Sequence, residues 1–61
     1  GNGTMIALGA ANPGEVDRLY AKAIELGATD AGEPGLRGDA FYIGYFRDLD
    51  GNKINFFCPA G

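Results

Sequence analysis

From Tyr42 to Cys58 the chain carries two apolar, alternating runs joined by Asp48-Leu49-Asp50-Gly51-Asn52. Asp-Gly between such runs is the strongest short-range hairpin signal, because a tight turn needs φ > 0, which costs Gly nothing and Asp or Asn little. The fold must therefore contain a long antiparallel hairpin over these residues. Strand alternation puts Ile43, Tyr45 and Arg47 on one face and Tyr42, Gly44 and Phe46 on the other. In the second run Lys53, Asn55 and Phe57 share one side, with Ile54, Phe56 and Cys58 opposite. Both faces of the hairpin thus carry large apolar groups, and one helix cannot cover both.

Residues 1–61 make one small domain, and a chain of 61 residues buries only about 60% of the surface its unfolded form exposes. Disulfides, metals or self-association usually supplement such a core. With one Cys and no His, self-association is the aid this composition favours. A lone Cys58 closes no internal disulfide and nothing resembles a secretory or transit segment, so a reducing, cytoplasmic setting is expected. Gly, Asp or Lys interrupts every apolar run before it reaches the length of a membrane span, so no membrane partner is expected. The net charge of −3 with five scattered basic residues argues against a nucleic-acid footprint, which needs clustered Lys and Arg.

Earlier in the chain, the apolar run Met5-Ile6-Ala7-Leu8 within Thr4–Ala10 predicts a strand. Asn12-Pro13-Gly14-Glu15 predicts a helix start, with Asn12 as N-cap, Pro13 preset at the first helical position and Glu15 closing a capping box. Val16, Leu19, Tyr20, Ala23 and Leu26 fall on one helical face, and Gly27 ends a helix of about 13 residues. Ala28 to Ala31 predicts a short strand, and Gly32 to Asp39 reads as a turn-rich loop and the most mobile segment. The order is strand, helix, short strand, long strand, long strand: an α+β, βαβββ unit with a mixed sheet and a helix on one face.

The run Arg47-Asp48-Leu49-Asp50-Gly51-Asn52 and this element order resemble the closing hairpin and half-domain of the glyoxalase / bleomycin-resistance / extradiol-dioxygenase superfamily, the vicinal oxygen chelate fold. There the run reads Arg-Asp-Pro-Asp-Gly-Asn; Leu49 stands in place of Pro. The resemblance is strongest over residues 41–58 and implies a C-terminal module. A second βαβββ module would complete an open cup around a small organic ligand. It could come from a homodimer or from an N-terminal half, with Gly1-Asn2-Gly3 as the edge of an intermodule linker. The resemblance places Met5, Ala7, Ile43 and Tyr45, with Arg47, Lys53, Asn55 and Phe57, on the concave face. Ile6, Leu8, Phe46, Ile54, Phe56 and Cys58 would lie under the helix.

The concave set mixes aromatics with Arg, Lys and Asn, the composition of a ligand pocket with a few orienting polar groups. The superfamily's metal ligands would fall at Met5 and Asn55, where a thioether and a neutral carboxamide hold a hard or borderline divalent ion poorly. No metal, other cofactor or general base is therefore expected from this chain, and any catalytic residue is unassigned. A metal-dependent lyase, isomerase or dioxygenase half with ligands from another module is the alternative, as is a purely structural half. Tyr45 reads either as a ligand hydroxyl or as an aromatic filling the cup. Arg47 reads as a carboxylate or phosphate clamp, or as a partner of Asp48, Asp50 or solvent. Lys53 reads as a hairpin-edge solubiliser or a ligand contact. Cys58 reads as a buried hydrophobe.

Overall fold

The computed structural model describes residues 5–60. Thr4, with which the expected first strand opens, and the expected linker Gly1-Asn2-Gly3 lie outside the described residues. The elements are β1 (Met5–Gly9), α1 (Pro13–Glu25), β2 (Thr29–Arg37), β3 (Phe41–Arg47) and β4 (Lys53–Pro59). They form a mixed four-stranded sheet in the order β1-β4-β3-β2, with β1 parallel to β4 and the other pairs antiparallel. This is the expected α+β, βαβββ module with a helix on one face.

The helix starts as its sequence dictates. Asn12 Oδ1 accepts from the Glu15 N–H at 2.8 Å, and the Glu15 carboxylate accepts from the Ala11 N–H at 2.7 Å. The first bond satisfies a donor that the helix start leaves orphaned; the second reaches one residue further back than a capping box, to the Ala11 N–H rather than that of Asn12. Leu26 is the C-cap, followed by Gly27.

The β3–β4 turn is built on Asp48, whose Oδ1 accepts from the backbone N–H of Asp50 and of Asn52, both at 2.9 Å. Its Oδ2 accepts from the Asn52 carboxamide at 3.1 Å. Gly51 takes φ +85°, the left-handed conformation the Asp-Gly signal requires. Across the hairpin Ile43 faces Phe57, Tyr45 faces Asn55 and Arg47 faces Lys53.

In β2 the sequence expectation is overturned. Residues 32–37 are not a loop: Ala28–Ala31 does not stand as a short strand of its own, and β2 runs unbroken from Thr29 to Arg37. Register shifts between Asp30 and Gly32 and between Gly32 and Gly35 absorb the irregular residues. β2 is an edge strand, where a Pro lacking its N–H is tolerated. Bulges let the Gly-Pro-rich run keep pairing with β3. Gly44 of β3 permits the cover above it, since a Cβ there would sit 2.9 Å from Pro34 Cγ and 3.4 Å from the Tyr20 ring.

The core lies between helix and sheet. Val16 is 0% exposed, Cys58 1% and Phe46 6%, and the Phe46 and Phe56 rings stack at 5.5 Å. Cys58 is thus the buried small hydrophobe expected. α1 packs mainly on β3, β4 and β2, with β1 at the edge of the sheet. Ile6 and Leu8, expected under the helix, are 45% and 43% exposed. They sit on the edge strand, outside the strip that 13 helical residues cover.

Two tyrosines tie helix and sheet together. The Tyr20 hydroxyl donates to Asp30 Oδ1 at 2.7 Å, and the Tyr42 hydroxyl donates to Asp17 Oδ1 at 2.8 Å. Burial, and then the Asp30 carboxylate, push the Tyr20 phenol up from 10.0 to about 12. The hydrogen bond to Asp17 raises Tyr42 as well. Asp30 is held below its ordinary range by the Tyr20 hydroxyl and the Gly32 N–H, and Asp48 by the Asn52 side chain and backbone. A phenol raised by folding contributes stability that is full below its unfolded pKa and lost as pH climbs from there through the folded value. A carboxyl depressed by folding contributes stability above its unfolded pKa that is lost as pH falls through the folded one. The melting temperature should therefore be flat between about pH 5 and 9 and fall from about pH 10 upward. Tyr20→Phe should remove part of that alkaline fall. A circular-dichroism melt that stays unchanged through pH 11 would contradict this account.

Candidate functional site

The face of the sheet away from α1 holds a shallow hollow of about 260 Å³. Its floor comes from three strands: Met5 and Ala7 of β1, Phe41, Ile43 and Tyr45 of β3, and Asn55 and Phe57 of β4. Period-2 alternation and the register put these side chains together, because Ala7, Asn55 and Tyr45 are lateral neighbours across β1, β4 and β3. Phe41 and Phe57 meet edge to face with ring centroids 6.2 Å apart.

Six of the eight residues expected on the concave face, Met5, Ala7, Ile43, Tyr45, Asn55 and Phe57, line this hollow. Arg47 and Lys53 do not. Arg47 donates to the Gly51 carbonyl at 3.1 Å, and neither Asp48 nor Asp50 pairs with it among the described residues. Lys53 stands at the rim, its ammonium 5.1 Å from the centroid of the Tyr45 ring. Arg37 holds a matching place on the β2 side, its guanidinium carbon 5.6 Å from the same centroid, within the reach of a cation–π contact. Arg37 also donates to the Glu33 carbonyl at 2.9 Å.

Two site residues escaped the sequence reading. Phe41 shares the parity of Ile43 and Tyr45, so extending the alternation one step would have found it. Arg37 lay in the segment read as a loop, and the bulges of β2 break the parity that could have assigned its face.

Asn55 is 4% exposed and is the buried polar residue of the described chain. Among the described residues its carboxamide makes no hydrogen bond with a side chain. Lining the hollow, it offers a donor and an acceptor to whatever enters. Among the described residues no donor set fits the divalent metal that the resemblance to the superfamily would imply. A thioether, a carboxamide and a phenol face the hollow, the Cys58 thiol is buried on the helix side, and the described residues contain no cluster of three His, Cys, Asp or Glu. Among the described residues no helix is long and apolar enough to cross a membrane.

No family model and no curated protein matches the chain. Solved structures do. A glyoxalase/bleomycin resistance protein from Albidiferax ferrireducens superposes with a TM-score of 0.85 at 40% identity, over 93% of this chain and 47% of that one. A hypothetical protein from S. aureus superposes with a TM-score of 0.84 at 38% identity, over 100% of this chain and 51% of its own. The chain therefore spans about half the length of each.

Proposed function

The chain belongs to the glyoxalase/bleomycin resistance superfamily as a single βαβββ module, and from that premise we propose that it is half of a ligand cup. It binds a small organic molecule on its concave face once a second βαβββ module closes the other side. We read it as the C-terminal module, paired either with a second copy of itself or with a preceding half in a longer polypeptide.

The observation that carries this reading is the bare edge of β1 beside the hollow. Met5 on the concave side is 51% exposed, and Ile6 and Leu8 on the helix side 45% and 43%. An open, apolar edge strand is a template for further pairing, which proteins normally blunt with charge, Pro or a cover. Among the described residues β1 has none of these. The hollow's 260 Å³ also falls short of the roughly 300–1,000 Å³ of a complete small-molecule pocket. A neighbour docked on β1 would both cover the edge and wall the hollow.

The module is read as a binding half rather than a catalytic one. No carboxylate, imidazole or thiol among the described residues lines the hollow, so a proton-transfer step at neutral pH would need groups from the second module.

Light scattering across a concentration series tests the reading. The expected result is a mass rising from 6.4 kDa to twice that, with an aromatic probe then shifting the backbone amide resonances around Tyr45 and Asn55. A mass of 6.4 kDa at every concentration would remove self-completion. Absence of any probe effect on a closed dimer would remove the ligand cup itself.

A further inference from the structure

The chain's cations are sorted by face. Of its five basic residues, Arg18 and Lys22 lie on the helix beside Glu15 and Glu25, at 4.0 and 3.0 Å. The other three belong to the sheet, Arg37 on β2 and Lys53 on β4 either side of Tyr45 and Arg47 at the end of β3 itself, and none has a carboxylate within 4.0 Å among the described residues. Five of the eight carboxylates are engaged elsewhere: Asp17 and Asp30 with tyrosines on the helix side, Glu15 at the helix cap, Glu25 with Lys22, Asp48 inside the hairpin turn; Glu33, Asp39 and Asp50 lie within 4.0 Å of no cation among the described residues. In a chain of net charge −3, Arg37 and Lys53 thus bring two unpaired positive charges to the rim of the hollow beside Tyr45.

On these strands the charged groups meet no carboxylate among the described residues: Arg37 and Arg47 donate only to backbone carbonyls, of Glu33 and Leu36 and of Gly51. Arg37 and Lys53 flank the Tyr45 ring. The Tyr45 hydroxyl makes no hydrogen bond to another described side chain, and the carboxamide of nearly buried Asn55 is free in the same sense. Below them the floor is apolar, with Ile43, Phe41 and Phe57. Cations and a phenol O–H around an apolar floor complement one ligand chemistry, an anion with an apolar body.

We propose that this concave face takes an aromatic carboxylate, its ring on Ile43 and Phe57 and its carboxylate among Arg37, Lys53 and the Tyr45 hydroxyl. The proposal rests on the ligand-cup reading and goes beyond it by fixing the ligand's charge. The same rim would repel an organic cation or a free metal ion.

Three probes of one shape and different charge test it: 2-naphthoate, 2-naphthamide and 2-naphthylmethylamine, titrated into the 61-residue chain and followed by backbone amide shifts. Naphthoate should bind at least tenfold more tightly than the amide, the amine should not bind, and the preference for naphthoate should shrink as salt screens the rim. Lys53→Gln and, separately, Arg37→Gln should each weaken naphthoate by about tenfold, a step of about 1.4 kcal/mol, and leave the amide unchanged. Arg37 also braces β2 through the Glu33 carbonyl, so Lys53→Gln is the decisive variant if the other disturbs the strand. If the amide or the amine binds as tightly as naphthoate at these residues, the anion preference is wrong while the cup survives. If none of the three shifts the concave strands at a concentration where light scattering shows the dimer, the cup reading fails and takes the proposal with it.

Discussion

Val16→Asp should abolish cooperative folding. Val16 is the fully buried apolar residue of α1, at 0% exposure, and the contact through which the helix grips the sheet. Natural domains are stable by roughly 0.05–0.15 kcal/mol per residue, or about 3–9 kcal/mol for a chain of this length. Losing the valine's burial costs about 1.5–3 kcal/mol, and an unpaired buried carboxylate costs several kcal/mol more even if it takes up a proton. One term opposes this: Val16 lies in the first turns of α1, where a negative charge gains about 0.3–1 kcal/mol from the helix dipole. That gain is too small to decide the outcome. Val16→Ala, which only leaves a small cavity, should lower stability by roughly 1.5–3 kcal/mol and keep a sharp melt. Far-ultraviolet circular dichroism against temperature separates the two variants. A Val16→Asp chain melting cooperatively within a few degrees of the parent would show that the helix is held by something other than this contact.

How much of this molecule was legible in its sequence depended on how local each signal was. The β3–β4 hairpin could be read because Asp48, Gly51 and Asn52 settle the turn among themselves, and alternation then settles the faces. The helix was legible for the same reason, since Asn12 and Glu15 cap it within four residues. β2 was not, because its Gly-Pro composition is turn-like locally. The strand exists only because β3 supplies partners across two register shifts. That tertiary override hid Arg37, and with it the second cation beside Tyr45. The bareness of Ile6 and Leu8 was equally illegible: both are apolar and have the parity of core residues, and only the lateral position of α1 leaves them uncovered. Of the candidate site, then, the hollow's floor was readable and its charged rim was only half so.

The bare edge yields the second large effect. Leu8→Glu should weaken self-association of the chain by about a hundredfold while leaving the isolated module folded. In register with Phe56 of β4 and 43% exposed, Leu8 has room for a carboxylate in the lone module. Its loss of packing there should cost no more than about 1 kcal/mol. Once a partner covers β1, the same carboxylate would be desolvated without a counter-charge, at a cost on the order of 3 kcal/mol, which is about two decades in a dissociation constant. Leu49→Glu separates this from a general effect of added negative charge. Leu49 is 83% exposed but lies in the β3–β4 turn, beside Leu26 at the end of the helix, on a patch that the proposed contact does not use. Sedimentation across a concentration series should show the Leu8 variant shifted to monomer and the Leu49 variant unchanged. The opposite pattern would move the interface from β1 to the Leu26–Leu49 patch, and the hollow would then lose the neighbour proposed to complete it.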